Sequence, residues 1–267
     1  MRLFPMRFFR RHAVVSGALA AAVIAASCET VPYTGRSQLQ IMSPAQESQM
    51  GVQAFQQTLA KSQLSGNVAT SEMVTRVGSR IAAVTGHPEY QWEYRLIQDD
   101  KQANAFALPG GKVAVYTGIL PITRDESGLA AVLGHEIGHV VARHGGERVS
   151  QQMLVNIGLE TAMASLSGGN PATVQAVASL LGAGATVGVL LPWSRAQESE
   201  ADHLGLILMA KAGYDPHAAR DLWARMAAAS QGSGRPPEFL STHPSDPTRI
   251  QQIEVWLPEA MQSYRPR

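Results

Sequence analysis

Cysteine is nearly absent from this chain. Among 267 residues there is only Cys28, so no internal disulfide can form. An excess of base is missing too, once the chain is divided. Arg2, Arg7, Arg10 and Arg11 all precede Cys28, where there is no Asp or Glu. The remainder carries 18 basic residues against 21 acidic ones, a net −3. It has no basic patch of the kind that nucleic-acid binding needs, and no nucleic-acid partner is expected. A full membrane span is also lacking. The apolar run from Ala13 to Ala26 is too short. The run from Ala172 to Leu191 is interrupted by Gln175, three glycines and two threonines, and reads as a buried or mobile helical segment. There are no repeats of solenoid length, and the chain ends ten residues after Leu257, so no C-terminal repeat domain for recruiting partners is expected.

What is present begins with an address. A basic start, a short apolar stretch and small residues after it have the form of a secretory signal. Cys28 follows Ala25-Ala26-Ser27, which resembles a bacterial lipobox, where the cysteine is acylated and becomes the mature N-terminus. Glu29, rather than aspartate, follows it, and in that class of signals this favours the outer membrane. Acyl chains anchor a protein without a spanning helix. The expected organisation is a signal over 1–27, a polar, turn-rich tether over 28–42, and one folded domain over 43–267. The expected location is the periplasm of a Gram-negative bacterium.

Hydrophobic periodicity predicts a mostly helical domain with a few short strands, an α+β fold. Ser43-Pro44-Ala45-Gln46 has a serine N-cap, proline at the first helical position and a glutamine to close a capping box. Met73, Val74, Val77, Ile81 and Val84 form one helical stripe stopped by Gly86. Trp92, Tyr94 and Leu96 alternate with polar residues, as in a half-buried strand. Ala105 to Leu108 is a loop or short strand before the turn Pro109-Gly110-Gly111, and Val113 to Thr117 is a strand. Thr123-x-x-Glu126 is expected to cap the next helix, and Gly145-Gly146 to end it. Helices are expected over 194–212, from 216 to about 230, and after Asp246-Pro247, with a surface loop over 231–238.

The helix from Leu129 to Ala142 carries His135-Glu136-Ile137-Gly138-His139. Residues four apart share a helical face, so His135 and His139 can direct two imidazoles at one ion. Glu136 lies about 100° round the helix, beside the same place. This suits zinc with two nitrogen ligands and a carboxylate close to an activated water. The neighbours Leu129, Val132, Leu133, Ile137, Val140 and Val141 are apolar, and uncompensated His and Glu are costly in such surroundings. The plain alternative is a pair of core histidines satisfied by hydrogen bonds. A catalytic zinc takes a third protein ligand. The segment 195–203 offers Glu198, with Asp202 one turn on to accept the free N–H of a ligand histidine. Glu200 points elsewhere.

Four segments, NAFALPGGKVAVYTG, HEIGHVVARH, SRAQESEAD and THPSDPTRI, occur in this order. Together they resemble the zinc metallopeptidase family of the CAAX prenyl protease type, and within it the soluble lipoproteins of the bacterial periplasm. The resemblance covers most of residues 29–257. It implies a gluzincin fold with a small sheet beside the active-site helix and one zinc per chain. It assigns the metal to His135, His139 and Glu198, with Asp202 as partner and Glu136 as general base and acid. It places the family's late His-Pro motif on His243-Pro244, with Arg249 six residues on. His243 is then either an oxyanion helper or a ligand that closes the zinc site, and Arg249 a second oxyanion candidate. His87, His144, His203 and His217 are read as structural. The implied function is a lipid-anchored endopeptidase that acts on misfolded or unassembled envelope proteins. The rivals are a chaperone-like binding lipoprotein with a closed zinc site and a purely structural zinc.

Overall fold

The structure, a computed structural model, describes residues 28–32, 34–165, 191–232, 238–243 and 248–266. The leader, most of the 172–191 segment, and Pro244 to Pro247 lie outside the described residues.

The chain enters as an antiparallel hairpin of β1 (Cys28–Thr30) and β2 (Ser37–Leu39), with Cys28 opposite Leu39. Helix α1 (Pro44–Leu59) starts at the expected capping box between Ser43 and Gln46. Helix α2 (Val68–Ala82) is capped by Asn67, and buries Val74, Val77 and Ile81. Strands β3 (Glu93–Ile97), β4 (Ala105–Leu108) and β5 (Lys112–Tyr116) form one sheet in the order β3-β5-β4. β5 runs parallel to β3 and antiparallel to β4. Gly110 and Gly111 both take positive φ in the β4–β5 turn, a conformation that costs glycine least.

After a 3₁₀ turn and the short α3 (Leu120–Thr123) comes α4 (Glu126–Val141), the helix of the His-Glu-x-x-His motif. Its N-cap is Asp125, which accepts from the Gly128 amide; Thr123 belongs to α3 instead. The helix is apolar over most of its surface apart from His135, Glu136 and His139, and is buried almost throughout. It packs on α6 (Leu191–Lys211), α2, β4 and α7 (His217–Gly232). Before α6, the chain turns after Val141, through Arg143 at φ 56, straight into α5 (His144–Ser165). Gly145 and Gly146 therefore lie inside α5 and do not end α4. The short α8 (Glu238–Thr242) and α9 (Arg249–Ser263) complete the described fold. No described helix is long and apolar enough to cross a membrane.

The tether reading of residues 28–42 does not survive. Val31 is buried against Ala142 and Leu204, Gln38, Leu39 and Gln40 are buried, and the Ile41 amide donates to Ser150. Polarity and turn residues made this stretch look solvated. Several of its polar groups are instead paired with the domain, Arg36 with Glu200 and Glu147 and the Gln40 side-chain amide with the Arg143 carbonyl.

Candidate metal centre

Two helices build the site, and their backbones nearly touch. A Cβ on Gly134 would stand 2.8 Å from the Gly205 carbonyl oxygen, and one on Gly138 2.8 Å from that of Ala201. Only the missing side chains allow α4 and α6 so close. Glu198 on α6 thereby meets His135 and His139 on α4. Glu198 Oε2 lies 3.4 Å from His135 Nε2, and Glu198 Oε1 3.4 Å from His139 Nε2. The two Nε2 atoms are 3.1 Å apart. His243, just past α8, joins them. Its Nδ1 is 3.2 Å from His135 Nε2 and 3.1 Å from Glu198 Oε1. The ligand atoms of these four residues all lie within 4.8 Å of one another.

The spacing and the donor types suit zinc. Ligand atoms about 2.0–2.1 Å from a tetrahedral ion stand about 3.4 Å apart. The five separations above run from 3.1 to 3.4 Å, and the donors are the nitrogen and carboxylate types that zinc takes. Nδ1 of His243 thus approaches the place of a fourth ligand, the fourth corner, next to His135 and Glu198. Its ring stacks on buried Phe239, with centroids 4.7 Å apart, and its amide donates to the Phe239 carbonyl at 2.8 Å.

Glu136 faces the same place from the side. Its Oε2 accepts from the Ala107 amide of β4 at 3.1 Å. Its Oε1 is buried without a hydrogen bond, 3.2 Å from His243 Nε2. Burial raises the Glu136 pKa, against the pull of His243 and His135, which suits a group that must take up a proton. β4 is one of the two edge strands of its sheet, and of the two strands flanking the Pro-Gly-Gly turn it is β4 that touches Glu136.

The carboxylates behave as their partners dictate. Burial alone would raise Glu198, yet His135, His139 and His243 hold it well below the usual carboxylate range. Burial pulls His135 down, but Asp202 and Glu198 push it up to about 9. Burial dominates at His139 and lowers it well below the ordinary histidine value.

Asp202 takes the expected position, with Oδ1 2.8 Å from His135 Nδ1. Arg249 does not take the position of an oxyanion donor. It is buried behind His135, with Nη2 2.7 Å from Asp202 Oδ1 and Nε 2.6 Å from Oδ2. Its guanidinium carbon lies 3.3 Å from the centroid of the Trp223 ring. It steadies the carboxylate that orients His135. Trp223 was not singled out from the sequence, and His144, read there as structural, instead stands with its Nδ1 2.8 Å from His139 Nδ1. His87, His203 and His217 each face a carboxylate away from the site.

The family model for peptidase family M48 matches residues 69–257. The chain belongs to peptidase family M48. M48 peptidases are zinc metallopeptidases, and the cluster above is where this member's four candidate ligands meet. The chain is similar to the mitochondrial metalloendopeptidase OMA1 of Schizosaccharomyces pombe, with 43% identity over 87% of this chain and 67% of the relative. It is also similar to metalloendopeptidase OMA1 of Bos taurus, 32% identical over 87% of this chain and 46% of the relative. A third relative is the beta-barrel assembly-enhancing protease of Escherichia coli K12, 30% identical over 86% of this chain and 47% of the relative. The chain thus spans about two thirds of the yeast protein and under half of the other two. The resemblance read from the motifs holds at the level of the M48 zinc metallopeptidases.

Proposed function

We propose that this protein is a zinc endopeptidase of the bacterial envelope, anchored through an acylated Cys28, which degrades misfolded or unassembled envelope proteins. The observation that carries the proteolytic reading is the convergence of His135, His139 and Glu198, the three protein ligands a catalytic zinc takes, with the Glu136 carboxylate beside them. Zinc in this set supplies a Lewis acid and an acidified water. Glu136 accepts the proton of the attacking water and returns it to the departing amine. The outer edge of β4 is where an extended peptide would add main-chain hydrogen bonds, next to the Ala107 amide that already serves Glu136. Asp202 and Arg249 hold His135 in place.

Support for the envelope address comes from the leader with its cysteine and from the relative named for β-barrel assembly. The decisive experiment measures zinc content and casein cleavage for the wild type and Glu136→Gln. About one zinc per chain in both, with cleavage only in the wild type, is expected. A wild type that holds no zinc overturns the reading.

A second reading is favoured by one observation, the Nδ1 of His243 at the fourth corner. That corner is where a catalytic site keeps its water. His243 is then a brake that substrate displaces, and the resting protein is a latent protease with a closed zinc site.

A further inference from the structure

His139 makes a contact that the zinc site does not account for. Its Nε2 faces His135 and Glu198, while its Nδ1 meets His144 Nδ1 at 2.8 Å. On the far side of that ring, His144 Nε2 lies 3.0 Å from Glu200 Oε2. Glu200 also receives the hydroxyl of Thr34 and the guanidinium of Arg36, with Nε at 2.9 Å and Nη2 at 2.8 Å. Arg36 continues to Glu147, with Nη1 2.7 Å from Oε1. Thr34 and Arg36 belong to the link between β1 and β2.

The order of protons along this line follows from its end. A carboxylate that receives a hydroxyl and a guanidinium can only accept, so His144 donates to it through Nε2. With its proton on Nε2, the neutral ring of His144 offers a lone pair on Nδ1, to which His139 can donate from its own Nδ1. His139 is left with a lone pair on Nε2, the nitrogen that faces the other ligands. His135 reaches the same condition directly, by donating Nδ1–H to Asp202. The two ligand histidines are therefore each backed by a carboxylate, one in contact and one through an interposed imidazole.

We propose that His144 and Glu200 are positioning residues that fix His139 as a zinc ligand, and that Arg36 of the N-terminal hairpin completes the line, so that the zinc affinity of the site depends on the docked hairpin. The inference rests on the zinc site of the proposed function. Partners of this kind behind a ligand histidine are worth 10- to 100-fold in metal affinity.

The test is zinc affinity of the full chain by competition with a chromophoric chelator, together with the visible absorption of the cobalt-substituted protein. His144→Ala should bind zinc 10- to 100-fold more weakly and shift the cobalt spectrum. His144→Asn, which keeps an acceptor near the Nδ1 position, should recover much of the loss. Arg36→Ala should weaken zinc measurably but less than His144→Ala, and should add nothing in the His144→Ala background, because the coupling runs through His144. Affinity within twofold of wild type in folded His144→Ala overturns the proposal. Full additivity of the two changes overturns the link to the hairpin. Should His144→Ala not fold, Arg36→Ala and Glu200→Gln decide: weaker zinc supports the line and unchanged zinc overturns it. A wild type that binds zinc but cleaves nothing defeats the proposed function and leaves this line standing. Unchanged affinity in the variants of an active wild type defeats the line alone.

Discussion

Glu136 and His243 stand 3.2 Å apart and have separable jobs. Glu136→Gln keeps the shape and removes the base, so peptide hydrolysis should fall by about 10² or more with zinc retained; kinetics at measured zinc content check this. His243 is the residue whose sign of effect is informative. As the occupant of the fourth corner, it should act against the resting rate, so His243→Ala should raise initial hydrolysis of a short peptide and increase self-cleavage. An oxyanion donor would do the opposite, with a loss of about 10²-fold. A fall in rate at matched zinc occupancy removes the brake reading. At the next position out, Glu198→Ala should cost far more zinc than Glu200→Gln, because Glu198 lies among the ligand atoms and Glu200 reaches them only through two imidazoles. The spacing His-x-x-x-His and the i, i+4 pair Glu198/Asp202 made three candidate ligands and one partner legible in the sequence. His144 was not legible. Five residues past His139 it belongs to another helix face, and only the left-handed Arg143 turns it back. Arg143 is held in that conformation by Glu47, Glu29 and the Met42 carbonyl, contacts from remote parts of the chain.

The seam between α4 and α6 sets the separation of the ligands. Gly134→Ala would drive a Cβ into the Gly205 backbone, and the helices must part by a few tenths of an ångström. Such overpacking costs about 1–3 kcal/mol, and it also draws Glu198 away from the two histidines. The expected result is a lower melting temperature together with weaker zinc. Gly145→Ala is the contrast: its Cβ would meet Pro109 only at 3.5 Å, an ordinary contact, so neither quantity should change appreciably. Which stretches would be helices and strands was readable from capping boxes and apolar stripes, as at Ser43 and along α2. The ends were less so. Asp125 rather than Thr123 caps α4 because its side chain reaches the Gly128 amide at 2.8 Å. A pair of glycines that looked like a stop sits inside α5, where α5 runs close to residues 40 and 47 and a Cβ on Gly146 would clash with Glu47. Tertiary contact decided both, and periodicity does not encode it.

At the scale of the whole molecule, a ligand that binds only the folded state stabilises it, so removing zinc with a chelator should lower the melting temperature as well as abolish hydrolysis. The address is tested by fractionation: Cys28→Ala, with the leader still cleaved, should leave the membrane fraction, and unchanged partition would end the lipoprotein reading. Acylation at Cys28 would have a mechanical consequence through the docked hairpin. Fourteen flexible residues would give a leash of about 20 Å root-mean-square length. Here β1 begins at Cys28 and Val31, three residues on, is already buried, so that slack is gone. A domain of this size has a radius of gyration of about 18 Å. The catalytic cleft would then patrol a shell no deeper than the domain itself, and a polypeptide would have to come down to the bilayer surface to be cut.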